Sequence, residues 1–139
     1  MFLIAFPLLL IPFALYNMIA FLLNMNFGEE VFSIPMLSGE RMAVSTGDVL
    51  VLLAVLLLYV EIVKSTRLTS KAVIDHVLSL VIFIAMVFEF ITVKKAATST
   101  FMILTALSFV DVVGGFSVTL RASERDIAIE SSEPITHGH

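Results

Sequence analysis

Apolar residues run along this chain in four blocks, at about 2–23, 43–63, 73–93 and 101–120. Roughly 20 predominantly apolar residues carry a helix across a bilayer, so the pattern predicts four transmembrane helices. The first block carries no charge. The second contains Asp48 and Glu61, the third Asp75 and Glu89, and the fourth Asp111. The first block lacks a basic leader and an A-x-A cleavage site, so it reads as a retained span rather than a signal peptide. Pro7 and Pro12 lie inside it. A proline removes one helical hydrogen bond. Pro7 is tolerated in the first turns, and Pro12 is expected to kink the helix.

The polar stretches between the blocks set the connections. Between the first two blocks, Val31, Ser33 and Pro35 alternate with Phe32, Ile34 and Met36, Ser38-Gly39 offers a turn, and 41–44 returns. That pattern predicts a short β-hairpin. Two strands alone are marginal, so the hairpin is expected to lie on the helix ends or on a partner. Ser45 and Asp48 have capping-box spacing, with Asp in place of Glu, so the second helix is expected to begin near Thr46. The short link 64–72 makes the second and third helices antiparallel neighbours, with Thr69 or Ser70 as cap. The link 94–100 does the same for the third and fourth. The expected fold is all-α: four transmembrane helices in an antiparallel bundle, with the hairpin in the first extracytoplasmic loop. One transmembrane domain covers 1–128, in which 121–130 continues as a short cytoplasmic helix, and 129–139 is a disordered cytoplasmic tail.

Composition strengthens the membrane assignment. Of 139 residues, 59% are hydrophobic and only 14% charged, and the mean hydropathy is +1.06. A soluble domain averages about a quarter charged residues. The net charge of -4 and the lack of a large basic cluster argue against nucleic acid as a partner. With no cysteine, disulfides, thiolate metal sites and a cysteine nucleophile are excluded. Without Trp, any aromatic belt falls to Phe and to Tyr16 and Tyr59. Lys64, Arg67, Lys71, Arg121 and Arg125 lie on one side of the predicted topology, and Arg41, Lys94 and Lys95 on the other. The basic side is cytoplasmic. Both termini are therefore expected inside, in a multi-pass protein of a bacterial inner membrane.

Asp111 carries the sharpest candidate chemistry. Phe101 to Val110 before it and Val112 to Leu120 after it are uncharged. A carboxylate at such depth costs about 2.5–3.5 kcal/mol even on insertion scales. It is paired, protonated or used. Thr105, Ser108, Gly115 and Thr119 form a stripe beside it, with Gly114 adjoining. Small residues and hydroxyls suit close helix packing, so this face is expected to contact another helix or a partner. Asn17 lies nearest to Asp111 in expected depth, and Asp48 and Glu89 share the outer end. These four are the candidate ion or proton site. Asp111 bonded to Asn17, Asp111 as an ion path and Asp111 paired with a partner's base all remain open. At the cytoplasmic end, Glu61 can reach His76, Lys64 can snorkel to the interface, and Asp75 falls in a first helical turn. No enzyme motif is present, and no cofactor or metal is expected.

The stretches SFVDVVGGFSVTLRASERDI, KAATSTF and VIDHVLSL resemble small four-span inner-membrane proteins of alphaproteobacteria. That resemblance implies a four-span fold and no particular activity. The expected function is non-enzymatic: an accessory or scaffold subunit in the lipid bilayer, packing against other membrane protein subunits or its own copies through the fourth helix. The alternative is a small proton- or cation-coupled transporter or channel, acting as an oligomer through Asp111.

Overall fold

A computed structural model describes residues 6–67 and 70–132. In chain order it has α1 (Leu10–Asn17), running on as a π-helical turn (Met18–Leu22), then β1 (Glu30–Pro35), β2 (Arg41–Ser45), α2 (Thr46–Lys64), α3 (Ser70–Thr92), a 3-10 turn (Lys94–Ala96) and α4 (Ser99–Ser132). Three helical stretches, Thr46–Lys64, Ala72–Thr92 and Ser99–Ile129, are long and apolar enough to cross a membrane, and Leu10–Leu22 is a shorter apolar helix. These features are compatible with a membrane protein.

The first helix differs from the expectation. Among the described residues it begins only at Leu10, and residues 2–5 of the first block lie outside them. Pro12 is its third residue. The first N–H groups of any helix lack an intrahelical partner, so a proline here removes no bond and imposes no kink. The irregularity falls instead at the π turn, where Leu23 N bonds Met18 O at 3.1 Å and Met25 N bonds Ile19 O at 3.2 Å. Asn24 follows with φ of 50°, the left-handed conformation that asparagine tolerates at a helix end.

The hairpin forms as the alternation predicts. β1 and β2 are antiparallel, with Phe32 opposite Val44 and Pro35 opposite Arg41, and a bulge between Glu30 and Phe32. Gly39, at φ 92°, supplies the turn. The base is tied to its surroundings by Thr46 N on Glu29 O at 3.0 Å and Gly47 N on Phe27 O at 2.9 Å. Ser45 then starts α2 with a complete capping box, its hydroxyl accepting the Asp48 N–H while Asp48 accepts the Ser45 N–H.

α4 packs against both α2 and α3, whereas contact between α2 and α3 is sparse. The short link was expected to make α2 and α3 packing neighbours. It fixes their opposite directions but not what lies between them. α4 wins that place because Ser108 and Gly115 let flanking helices approach closely. The cap proposed at Thr69 lies outside the described residues. α4 runs through 129–132, so the helix extends into the segment expected as tail, and 133–139 lie outside the described residues.

At the hairpin end, Tyr16 is fully buried. Its ring stacks on Phe27 at 4.3 Å and meets Phe101 edge-on at 4.8 Å. Its hydroxyl donates to Lys95 O at 2.7 Å and pairs with Thr98 Oγ1 at 2.7 Å. Thr98 in turn accepts the Phe101 N–H at 3.1 Å, which caps α4. Tyr16 is thus a core residue tying α1 to the α3–α4 link, while Tyr59 is exposed.

Gly47 sits at the tightest approach in this region. A methyl group there would collide with Thr100 Oγ1 and lie 3.1 Å from Phe27 O. Gly47→Ala is expected to destabilise the protein by about 1–3 kcal/mol, the range of overpacking. A thermal melt in detergent with an unchanged or raised midpoint would contradict this packing.

Candidate functional site

The last turn of α2 places Glu61 and Lys64 on one face, three residues apart. Glu61 is buried, and Lys64 is nearly so. The Lys64 ammonium contacts Phe6 O at 2.7 Å, Glu61 Oε1 at 2.9 Å and Asp75 Oδ2 of α3 at 3.6 Å. Glu61 Oε1 also accepts the Leu8 N–H at 2.7 Å. Lys64 was expected to snorkel outward. It turns inward instead, because three oxygen acceptors converge there and compensate its desolvation.

Asp111 joins this cluster from α4. It is 4% exposed. Its hydrogen-bonding neighbour is the Ser79 hydroxyl of α3, and Glu61, Asp75 and Lys64 are the charges acting on it. Asn17, the partner weighed from sequence, is elsewhere: its Nδ2 donates to Phe13 O at 3.1 Å and to Glu89 Oε2 at 3.4 Å. The four candidate ion-site residues are thereby divided. Asn17 serves Glu89, Asp48 serves the Ser45 cap, and Asp111 belongs to the opposite cluster.

One layer further along α4, Thr119 donates its hydroxyl to Ser65 O at 2.9 Å and lies 2.8 Å from His76 Nε2. With its single proton committed to the carbonyl, Thr119 accepts from His76, so Nε2 is the protonated ring nitrogen. His76 therefore bonds Thr119 rather than Glu61. Gly115 lies against this layer, where a Cβ would sit 3.4 Å from both His76 Cε1 and Ser65 Oγ. Ser108 and Asp111 are buried on the same face, and Thr105 back-bonds to Phe101 O at 2.9 Å. Gly114 meets only Val110 of its own helix, at 4.0 Å. The stripe around Asp111 thus packs within this chain at Ser108, Asp111, Gly115 and Thr119, and Gly114 lies off it.

Among the described residues, the cluster gathers Glu61, Asp75 and Asp111 around a single lysine. Two like charges about 4 Å apart repel by about 4 kcal/mol at an effective dielectric near 20. Three ionised carboxylates against one ammonium are therefore a strained arrangement, and uptake of positive charge relieves it. Asp75 Oδ1 is buried without a hydrogen-bond partner among the described residues. No group of three or more His, Cys, Asp or Glu among the described residues is arranged to hold a metal ion.

Sequence reading measured depth from the ends of each apolar block, and so set Asp111 at mid-membrane, away from Glu61 and Asp75. The missing information was register. α4 is 34 residues long, about 51 Å at helical rise, and block ends do not fix where it meets its neighbours. The signal available was compositional, in that α2, α3 and α4 each carry an acid in an apolar span.

A second concavity lies at the hairpin end. It has a volume of about 440 Å³ and is lined by Asn24, Asn26, Ser45, Asp48, Lys95 and Thr100 among others. The Lys95 ammonium is engaged there, by Ala20 O at 3.1 Å and Asn24 Oδ1 at 2.6 Å.

No family model, no curated protein and no solved structure matches this chain.

Leucine scanning separates the two adjacent glycines. Gly115→Leu is expected to push α4 off His76 and Ser65 and to lower the melting midpoint in detergent, at a cost of about 1–3 kcal/mol or more. Gly114→Leu is expected to leave it within about 0.5 kcal/mol. Equal effects would contradict this register of α4.

Proposed function

We propose that this is a multi-pass membrane protein of the proton- or cation-handling class, working through the Glu61–Lys64–Asp75–Asp111 cluster. The observation that carries this reading is the excess, among the described residues, of buried carboxylates over buried cations at one end of the three long apolar helices. Ionisable groups within membrane spans are costly and are typically retained for function.

Four spans with both termini cytoplasmic, in a bacterial inner membrane, fit this reading. α1 supports the fourth crossing. Its start is held at the Glu61 end through Leu8, and Tyr16 is held at the opposite end through Lys95.

A second reading is an accessory or scaffold subunit, and the hairpin favours it. Val31, Phe32, Ile34 and Met42 on the two open-edged strands, and Met36 and Leu37 in the connection between them, are all exposed, a surface suited to another membrane protein subunit or a second copy.

Flux separates the two readings. In proteoliposomes carrying a pH-sensitive dye, the wild type is expected to dissipate an imposed proton or cation gradient faster than empty vesicles, and Asp111→Asn to reduce that rate at least tenfold while still folding. Wild-type flux equal to empty vesicles sinks the ion-handling reading and leaves the subunit reading, which a mild-detergent pull-down then tests.

Orientation has its own test. Single cysteines at Ser38 and Ser132 are exposed to an impermeant thiol reagent in intact cells. Ser38→Cys is expected to label and Ser132→Cys to stay unlabelled. The reverse pattern overturns the topology argued from Lys64, Arg67, Lys71, Arg121 and Arg125.

A further inference from the structure

We propose that Glu61 and Asp75 hold one exchangeable proton between their carboxyl groups, and that this proton is the ligand of the buried cluster. The inference rests on the ion-handling reading for its use and deepens it by naming a proton rather than a metal cation.

The argument is a count of donors. The Lys64 ammonium hydrogen-bonds Phe6 O and Glu61 Oε1 and makes only a longer ion-pair contact, at 3.6 Å, with Asp75 Oδ2. The Leu8 N–H is used by Glu61 Oε1. The Ser65 hydroxyl is turned to the backbone, at Ile62 O and Glu61 O. The Ser79 hydroxyl serves Asp111, and His76 Nε2 serves Thr119. No described donor is left for Asp75 Oδ1, although the Asp75 side chain is only 7% exposed. A buried oxygen without a donor is costly.

The Asp75 carboxyl lies within hydrogen-bonding reach of the Glu61 carboxyl. Two carboxylates in such contact repel, and a carboxylic acid beside a carboxylate attracts. One proton transferred from a solvent hydronium ion breaks an O–H bond there, leaving water, and forms one O–H bond on the carboxyl pair; it supplies the missing donor and removes one of the three negative charges. Protons of such a pair belong to the pair rather than to either residue. Among the described residues, the titratable and charged groups facing it are Lys64 from α2, His76 from α3 and Asp111 from α4, and the segment before α1 contributes the backbone of Phe6 and Leu8. A metal cation is the poorer occupant, since a hard cation wants six or more oxygens, Glu61 Oε1 already accepts from Lys64 and Leu8, and no group of three or more His, Cys, Asp or Glu among the described residues is arranged to hold a metal ion.

Infrared spectroscopy of the full chain in lipid nanodiscs tests this directly. At neutral pH the wild type is expected to show the carbonyl stretch of a protonated carboxyl. That band is expected to persist in Asp111→Asn and to vanish in both Glu61→Gln and Asp75→Asn. No protonated-carboxyl band in the wild type overturns the proposal. So does a band that survives Glu61→Gln and Asp75→Asn, which places the proton elsewhere. Loss of the band on adding sodium at constant pH also overturns it, because a metal cation then occupies the pair. If either dyad variant fails to fold, Asp111→Asn decides: a retained band supports the pair and a lost band overturns it. A band without proteoliposome flux leaves this inference standing and removes the functional reading. Flux without a band does the reverse.

Discussion

The Lys64 ammonium is the contact on which this architecture depends. It joins the segment before α1, the end of α2 and the start of α3, through Phe6, Glu61 and Asp75. A lysine in that position offsets its lost hydration through oxygen partners, here two hydrogen bonds, to Phe6 O and Glu61 Oε1, and an ion pair with Asp75. The Leu8 N–H on Glu61 adds a second tie to the same point. The start of the chain's first helix is therefore fixed by charge, whereas the remainder of α1 is fixed by packing of Leu9, Tyr16 and Ala20 into the apolar core.

The two ends of the packed helices are held by different physics. At the hairpin end, Tyr16, Phe27 and Phe101 interlock and the Tyr16 hydroxyl closes onto the α3–α4 link. Those contacts are neutral and their hydrogen bonds are complete. At the other end the contacts are ionic, and carboxylates outnumber the lysine that holds them. Asymmetry of this kind locates the adjustable part of the molecule. Adding or removing a proton changes the interactions of the ionic end and leaves the aromatic end untouched.

α4 is the element that makes the cluster possible. Ser108, Asp111, Gly115 and Thr119 form its inner face, and their small volume lets it lie between α2 and α3. A bulky residue at Gly115 would part the helices at the level of His76 and Ser65. The same face that reads as a partner-binding stripe is thus spent on internal packing, so any partner of this chain must use another surface. The exposed apolar residues of the hairpin, Phe32 and Leu37 among them, offer one such surface.

Several features were legible without coordinates because they depend on local chemistry. The alternation at 31–36, the Gly39 turn and the Ser45–Asp48 capping box are set by neighbours a few residues apart, and each forms where the pattern puts it. The three long apolar helices follow from hydropathy alone. Other features needed the tertiary structure. Pro12 reads as a kink only if the helix begins well before it, and where that helix begins depends on capture of Leu8 by Glu61. The inward turn of Lys64, the division of Asn17 from Asp111 and the placing of α4 between α2 and α3 all depend on the sliding register and rotation of one helix against another. Hydropathy says that a segment is apolar but not how far it slides along its neighbour, and a shift of one turn, about 5.4 Å, decides whether Asp111 is alone in the apolar layer or gathered with Glu61 and Asp75.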